Sequence, residues 1–449
     1  MIPPTLGASA FGRSFLWGVG MAAAQNEGAA MEDGRGASIW DAFAKKRGVI
    51  KDRATPAVTC DFYHRYRDDL LLAKSLGFSV FRFSIAWSRV IPEGTGRVNQ
   101  AGVHFYQRVI DACLELGMIP CITVYHWDLP LELEKKGGWT SPLMNKWFNR
   151  YVELCAQWFG DRVKHWIVLN EPMGFTTLGY LMGKHAPGKT GLTSFFDAAH
   201  HAALAQADGS RILRSEVTEA LIGSSVSMSW VYPASERESD QQAAARVDVL
   251  MNRLFLEPMM GKGYPEPNGF NLLEQFHTQS RSWKYTQRLT TDLDFVGVQY
   301  YFPVVIKHHS LIPYVQASLV KPKKNDPQTG LGWRIDADSF YRMLKRVWKY
   351  GAVKSIWVSE NGASFPDQVK QGRIADPARI QYFQDHLHAM LQAKKDGVRI
   401  KAYLAWTLTD NFEWQEGFGA RFGLVHTDFN TQLRTVKDSG YWWRQFLSQ

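Results

Sequence analysis

The stretch WVSENGA, residues 357–363, decides the fold. Trp357 and Val358 belong to a run with the composition of a buried strand, and Asn361-Gly362 is a dipeptide that ends strands by turning the chain. This pattern predicts that Glu360 lies in the last residues of a strand and points out of its carboxyl end.

The stretch HWIVLNEPM, residues 165–173, repeats this arrangement upstream. Pro172 cannot continue a strand ladder, and it favours an extended backbone at Glu171. Glu171 is therefore predicted at the end of a second strand. Two carboxylates on the strand ends of one barrel would face each other across one mouth.

Strand-like runs recur along the chain, and most of them are apolar and β-branched, as expected for parallel strands that are covered on both faces. They comprise residues 15–23, 80–87, 119–126, 165–170, 221–228, 294–301, 355–361 and 400–408. Helical patterns lie between them, most clearly at residues 61–77, 99–117 and 376–397. Eight strand–helix repeats predict an α/β fold closed into a (β/α)8 TIM barrel, a single domain over residues 1–449.

Long βα loops are predicted at residues 28–60, 172–200 and 302–335. In such a barrel these loops build the mouth above the carboxyl ends of the strands. In the last helical pattern, Asp376 is predicted as the N-cap and Pro377 as the first helical residue.

The composition excludes several classes of protein. The chain carries a net charge of +9 at pH 7, but its basic residues are dispersed, and the denser clusters at residues 41–53 and 320–327 are read as solvated surface. We therefore predict no nucleic-acid partner. No apolar run approaches the roughly 18 residues that span a bilayer, so we predict no membrane association. Aromatic residues make up 13% of the chain, which modestly favours sugar binding, because aromatic faces stack on sugars.

The cysteines form no Cys-x-x-Cys pair, so buried thiols in a reducing compartment are predicted. They are Cys60, Cys113, Cys121 and Cys155. The segment SFLWGVGMAAAQ, residues 14–25, imitates a secretory signal peptide. Its polarity breaks at residues 25–27 and its basic region is poor, so we expect a cytoplasmic protein.

The two glutamates have the chemistry of a glycosidase. Cleavage of a glycosidic bond needs an acid that protonates the leaving oxygen and a carboxylate that attacks the anomeric carbon, and retaining enzymes hold the two about 5–5.5 Å apart. An isolated glutamate at a strand end is more often a cap or a salt-bridge partner. Glu171 and Glu360 share one arrangement, each beside an asparagine, and this repetition favours catalysis.

VLNEP (residues 168–172) and VSENG (residues 358–362) together resemble the paired signature of glycoside hydrolase family 1, the β-glucosidase family. The likeness covers nearly the whole chain, because further segments follow in the family's order. They include FLWGVGMAAAQNEGA, VYHWDLP, GYLMGKHAPG, WTLTDNFEWQEGFGARFGLVH and KDSGYWW.

The resemblance implies a retaining β-glycosidase that works through a covalent glycosyl-enzyme intermediate. It implies foremost a β-glucosidase that removes terminal non-reducing β-D-glucosyl residues, with galactosyl, fucosyl and mannosyl residues as alternatives. It implies no cofactor and no metal, and small-molecule β-glycosides or short β-linked oligosaccharides as partners. The oligomeric state stays open.

The resemblance also implies roles for individual residues. Glu171 would be the general acid/base and Glu360 the nucleophile. Arg82 would lie beside Glu360 and hold it ionised, since a guanidinium favours a charged carboxylate. Tyr301 would donate a hydrogen bond to the same carboxylate, and Asn170 would bind the sugar 2-hydroxyl, where hydrogen bonds strengthen in the transition state.

Further positions match the sugar-binding residues of the family. Those that would bind the other hydroxyls are Gln25, His126, Trp127, Glu413 and Trp414. Trp406 would stack under the sugar ring, and Trp333 would line the leaving-group side. A carboxylate at Glu413 suits a neutral sugar and would repel a 6-phosphate. Taken alone, the histidine would be structural and Trp127 would be packing.

Departures from the family leave alternatives. Gln299 stands where the family usually has Asn, and we expect this change to affect the rate or the position of Tyr301 rather than the function. The resemblance implies cis peptide bonds at Ala186-Pro187 and Trp406-Thr407. A catalytically inactive sugar-binding barrel is the alternative from another class, because a fold does not guarantee activity. A metal-dependent barrel hydrolase would need converging His and Asp residues, which the two His-His pairs do not supply.

Overall fold

Eight parallel strands form a closed barrel in the computed structural model, which describes residues 5–280 and 288–449. The strands are β1 (Leu16–Gly20), β2 (Val80–Ser84), β3 (Ile119–Tyr125), β4 (His165–Asn170), β5 (Leu221–Met228), β6 (Phe295–Tyr300), β7 (Ile356–Asn361) and β8 (Ile400–Trp406). They follow one another around the barrel in sequence order, and β1 pairs with β8 to close it, with Leu16 opposite Ala402. The predicted (β/α)8 barrel is confirmed, and each predicted strand run contains one of these strands.

Nine helices of ten residues or more are present in the described part of the chain. They are α1 (Phe62–Ser75), α2 (Gln100–Glu115), α3 (Met144–Phe159), α4 (Leu192–Glu216), α5 (Glu238–Asp248), α6 (Asn271–Ser280), α7 (Ala337–Lys349), α8 (Pro377–Lys395) and α9 (Asp438–Leu447). The three helices predicted from the sequence correspond to α1, α2 and α8. They cover the outside of the barrel, which explains why strands such as β2, β6 and β7 are buried along their whole length.

Shorter elements decorate the connections. Short helices lie at Ala23–Asn26, Ile39–Phe43, Trp87–Val90, Leu131–Lys135, Pro172–Thr176 and Leu254–Met259. A three-stranded sheet combines Val231–Pro233, Val304–His308 and Ala317–Leu319. Two small antiparallel pairs join Val369–Lys370 to Arg373–Ile374 and Val425–Thr427 to Arg434–Val436.

The helix ends follow their sequence signals with one difference. Gly77 and Gly117 follow α1 and α2 with φ of +94° and +62°, a conformation that glycine adopts without steric cost. Asp376 is the N-cap of α8 with Pro377 at the first position, as predicted. Its carboxylate does not cap that helix, however, because it accepts from the backbone N–H and the hydroxyl of Ser439 in α9.

The loops differ from the expectation in two places. The predicted loop 172–200 is wrong at its end, because α4 begins at Leu192. The predicted loop 302–335 contains two of the strands of the three-stranded sheet. The alanine-rich and aromatic residues of the segment TSFFDAAHHAALAQ, residues 193–206, all belong to this helix α4.

The amino-terminal half of the barrel is filled by apolar side chains. They are Val80, Cys121, Ile167, Phe295, Trp357, Ala402 and Leu404. The rings of Phe295 and Trp357 stack with their centroids 4.2 Å apart. Gln299 and Glu360 lie further along β6 and β7, towards the carboxyl ends of these strands.

All four cysteines are buried and free, as expected, and burial raises the pKa of each thiol. The segment that imitates a signal peptide supplies β1 of the barrel. Across the described residues, no helix combines the length and the apolar character needed to cross a membrane. The cytoplasmic location stays a prediction. The peptide bonds Ala186-Pro187 and Trp406-Thr407 are both cis.

Candidate active site

Glu171 and Glu360 lie at the carboxyl ends of β4 and β7, where the sequence placed them. Glu360 is the fifth residue of β7, and Glu171 directly follows β4. The extended backbone predicted at Glu171 is wrong, because Glu171 is the N-cap of the short helix Pro172–Thr176 and has a left-handed conformation with a φ of +43°. Both are buried, at 4% and 9% exposure, yet both line one pocket of about 420 Å³ at the mouth of the barrel. Two carboxyl groups in one buried pocket can act together on one bond.

Three donors converge on the carboxylate of Glu360. Arg82 Nη1 donates to Oε1 at 2.5 Å, Tyr301 Oη donates to Oε2 at 2.5 Å, and Gln299 Nε2 donates to Oε1 at 2.7 Å. Burial raises the pKa of Glu360 and is the largest effect, whereas Arg82 and Tyr301 act against it. Arg82 and Tyr301 therefore favour the anion, as expected, but the effect of burial is larger. The net result is a raised pKa of Glu360.

Glu171 has a different environment. Burial raises its pKa to about 8, and the negative charge of Glu360 adds to the shift. The hydroxyl of Ser227 on β5 acts against it. Within residues 5–280 and 288–449, no ion pair involves the Glu171 carboxyl. Glu171 is therefore the carboxyl group that keeps its proton near neutral pH, and Glu360 is the one that carries donors for an anion.

Asn170 connects the nucleophile side of the pocket to its sugar-binding side. Its Oδ1 accepts from Arg82 Nη2 and, at 2.6 Å, from Gln299 Nε2. Its Nδ2 lies 3.0 Å from His126 Nε2. The backbone oxygen of Asn170 accepts from Trp127 Nε1 at 2.8 Å. Arg82 and Asn170 thus support the pocket from behind its lining.

The predicted hydroxyl-binding residues line the same pocket. Gln25 Nε2 donates to Glu413 Oε2 at 3.1 Å and to the backbone oxygen of Phe412 at 3.0 Å. Burial and the charge of Glu360 raise the pKa of Glu413 to about 8. The rings of Trp127 and Trp414 stack with centroids 4.8 Å apart. The predicted binding residues in the lining are Gln25, His126, Trp127, Trp333, Trp406, Glu413 and Trp414.

The outer part of the pocket is aromatic. The Trp333 ring lies 4.5 Å from the Phe302 ring and 5.9 Å from the Tyr301 and Phe422 rings, measured between centroids. This aromatic wall adjoins the carboxyl groups, because the hydroxyl of Tyr301 donates to Glu360. It explains why Trp333 is half-buried although it belongs to a loop.

Sequence reasoning missed several lining residues. Ser227 lies at the end of β5 and pairs in register with Gln299, so a systematic inspection of strand ends could have found it. His185 precedes the cis proline within GYLMGKHAPG, a segment noted only for its family likeness. Lys51 and Glu416 form an ion pair at the mouth, and the wide sequence separation of these two residues leaves no local signal.

No group of three or more His, Cys, Asp or Glu side chains that could hold a metal ion is found among the residues that the structure describes. The pocket and the residues next to it offer carboxyl, amide, hydroxyl and guanidinium groups.

Residues 8–449 match the sequence model of Glycosyl hydrolase family 1, and the chain belongs to this family. The 1,4-beta-D-glucan glucohydrolase of Thermotoga neapolitana is 40% identical over 442 residues, which cover 97% of this chain and 98% of that protein. Beta-glucosidase A of Thermotoga maritima is 40% identical over 438 residues, 96% of each chain.

Solved structures agree with these relatives. The family 1 glycoside hydrolase of Thermotoga maritima, complexed with a cyclophellitol analogue transition state mimic, superposes with a TM-score of 0.92 at 39% identity and 97% coverage of both chains. The beta-glucosidase of the same organism in complex with glucoimidazole gives a TM-score of 0.92 at 40% identity, covering 97% of this chain and 98% of that one. The protein is therefore a glycoside hydrolase.

Proposed function

We propose that the protein is a retaining β-glycosidase, foremost a β-glucosidase that releases terminal non-reducing β-D-glucosyl residues. One observation carries the proposal: two carboxyl groups line one buried pocket, and their surroundings differ. Glu360 is held by Arg82, Gln299 and Tyr301, whereas burial and the Glu360 charge keep Glu171 protonated. The names of the relatives support glucosides as substrates.

In the first step, Glu360 attacks the anomeric carbon while Glu171 donates its proton to the leaving oxygen. The glycosidic bond breaks, and a covalent ester joins the sugar to Glu360. As that bond forms, the negative charge on Glu360 disappears. Glu171 is now the anion, and this order fits the greater affinity of Glu171 for a proton in the resting pocket.

In the second step, Glu171 acts as a base and removes a proton from water, which attacks the same anomeric carbon. The ester breaks, Glu360 regains its charge, and Arg82 and Tyr301 again stabilise that charge. Two displacements at one carbon return the original β configuration. The two carboxyl groups are predicted to lie about 5 Å apart, which is the spacing that double displacement needs.

The predicted hydroxyl-binding residues and Trp406 would hold the sugar. Glu413 and Gln25 offer hydrogen bonds to hydroxyls, and Trp406 offers a stacking face. Asn170 lies directly behind the lining residue His126, with its Nδ2 3.0 Å from His126 Nε2, and from there it is proposed to bind the 2-hydroxyl. Glu413 presents a carboxyl group rather than a cation to the sugar, which disfavours a phosphorylated sugar, so neutral β-glycosides and short β-linked oligosaccharides are the proposed substrates. Galactosyl and fucosyl groups share the same hydroxyl pattern in large part.

The alternative of an inactive sugar-binding barrel is not favoured, because Glu171 and Glu360 are both present. Proton NMR of a reaction with an aryl β-glucoside tests the proposal. We expect the β anomer of glucose to form first, ahead of mutarotation. If the α anomer formed first, the enzyme would invert, and if a panel of aryl β-glycosides gave no turnover, the inactive barrel would be the better description.

A further inference from the structure

Gln299 lies at the centre of the polar network, although it departs from the family pattern. It is fully buried on β6, between Ser227 on β5 and Glu360 on β7, with which it pairs in register. Its Nε2 donates to Asn170 Oδ1 at 2.6 Å and to Glu360 Oε1 at 2.7 Å. Its Oε1 has no hydrogen-bond partner within the described part of the chain.

The chemistry of the neighbours determines the orientation of each amide. Arg82 has only donors, so the atom of Asn170 that faces Arg82 Nη2 must be the oxygen. The atom of Gln299 that faces both Asn170 Oδ1 and Glu360 Oε1 then meets two acceptors and must be the nitrogen. A flipped Gln299 would set an oxygen against a carboxylate. The donors of Arg82 therefore determine the orientation of the Asn170 amide, which in turn determines the orientation of the Gln299 amide.

The orientation of Asn170 also determines its hydrogen bond to His126, on the sugar-binding side of the pocket. With its oxygen engaged twice, Asn170 directs Nδ2 towards His126 Nε2. Burial and the charge of Arg82 lower the pKa of His126 well below its usual value, so the ring is neutral. Nε2 then accepts from Asn170, and the proton of His126 lies on Nδ1. Nδ1 has no partner among the described protein groups. Asn170 Nδ2 and His126 Nδ1 are thus both N–H donors.

We infer that Gln299 is a positioning residue that couples the nucleophile to the recognition of the sugar 2-hydroxyl, by holding Glu360 and Asn170 with one amide. This inference rests on the proposed function and extends it. The selectivity for a sugar with a 2-hydroxyl then depends on Gln299 as well as on Asn170, which is proposed to bind that hydroxyl. An asparagine here would place its amide about 1.5 Å closer to its own backbone and could not maintain both contacts.

Two variants and a control test the inference. Gln299→Leu keeps a similar volume and removes both N–H groups, and Gln299→Asn keeps the amide but shortens its reach. Tyr300→Phe is the control, since Tyr300 is the next residue of β6 and its hydroxyl contacts Ser339 outside the pocket. Each protein is assayed over a range of pH with para-nitrophenyl β-D-glucoside and with its 2-deoxy analogue, and folding is checked by circular dichroism.

We expect Gln299→Leu to lower the ratio of kcat/KM for the glucoside to that for the 2-deoxy analogue about tenfold, mainly through kcat. We also expect the acid limb of kcat/KM to move up by about 1 pH unit, because the Glu360 anion loses a donor. Gln299→Asn should show both changes to a smaller extent, and Tyr300→Phe should show neither.

The inference fails if Gln299→Leu lowers kcat/KM for both substrates equally without moving the acid limb, since that is the result of general loosening. It also fails if Gln299→Asn matches the unmodified enzyme in both readouts, which decides the matter should the leucine variant not fold. Absence of turnover by the unmodified enzyme would instead contradict the proposed function.

Discussion

The two ends of the barrel are built from the same strands but from opposite kinds of side chain. At the amino end, β6 and β7 contribute Phe295 and Trp357, whose rings stack. At the carboxyl end, four and three residues later, the same strands contribute Gln299 and Glu360, joined by a hydrogen bond. At the apolar end a polar group without a partner would cost free energy, whereas at the polar end Gln299 Oε1 and His126 Nδ1 are buried without a hydrogen-bond partner among the described residues.

The amino end of the barrel contributes mainly to stability, whereas the carboxyl end holds the groups that are proposed for catalysis. At the amino end, burial of apolar area contributes free energy of folding without directional demands. At the carboxyl end, burial works against the charged forms of Glu171, Glu360 and Glu413. The register of β7 with β6 is also irregular between Val358 and Glu360, which is a common feature of strands next to active sites.

The largest expected effect is that of removing Glu360. Glu360→Gly should lower kcat for an aryl β-glucoside at least about 10⁴-fold, because no covalent intermediate can form. Added azide should restore turnover and give the α-glycosyl azide, identified by NMR. Circular dichroism should be unchanged. A β-azide from this variant would show that Glu360 is not the nucleophile.

Removal of Glu171 should have a smaller and substrate-dependent effect. We expect Glu171→Ala to slow hydrolysis of alkyl glycosides and disaccharides about 10²–10⁴-fold, while glycosylation by activated aryl glycosides survives better because their leaving groups need little protonation. Azide should rescue the second step and yield the β-azide. An equal loss for all leaving groups, with no rescue, would contradict the assignment of Glu171 as the acid/base.

At the other end of the barrel, Trp357→Ala should change stability rather than chemistry. Loss of the ring that stacks on Phe295 should lower the free energy of unfolding by about 3–5 kcal/mol, measured by urea denaturation. The KM of the folded enzyme should stay the same. Leu221→Ala is the matched control, because Leu221 is exposed at the same end and should change stability by less than about 0.5 kcal/mol. A raised KM in Trp357→Ala would show that the two ends are coupled.

The pH profile should report the proton of Glu171. Because burial raises the pKa of Glu171 to about 8, kcat/KM should fall about tenfold per pH unit above that value, as the acid loses its proton. Substrates with strongly activated leaving groups should show a weaker alkaline limb. A flat profile up to about pH 10 for a disaccharide would contradict the acid role.

The smallest expected effect concerns Glu413. Its pKa, raised to about 8 by burial and by Glu360, exceeds the unfolded value, so the folded state binds more protons between about pH 4.5 and 8 and stability falls as pH rises through that window. In Glu413→Gln the side chain does not titrate, so this loss of stability with rising pH does not occur. The variant should gain about 2 °C in Tm relative to the unmodified enzyme at about pH 9 and little at about pH 5. An equal change at both pH values would contradict the raised pKa.

The sequence predicted most of the barrel, because its signals are local. The bounds of β4 and β5 agree with the predicted runs, since the residues of each run and the residues that end it lie within a few positions of one another. The network around Gln299 could not be predicted in the same way. Its contact with Asn170 joins residues 129 positions apart and depends on the register of neighbouring strands. Gln299 is longer than the asparagine that is usual in the family and was expected to affect the position of Tyr301. The hydroxyl of Tyr301 nevertheless donates to Glu360.

The pairing of β1 with β8 has a consequence for the synthesis of the chain. Leu16 and its partner Ala402 are separated by about 390 positions. At about 5–20 residues per second, the ribosome releases β8 roughly 20–80 s after β1. Until then the growing sheet has open edges whose N–H and C=O groups can pair with another nascent chain. β1 thus stays without its closing partner until all the other strands of the barrel have been translated.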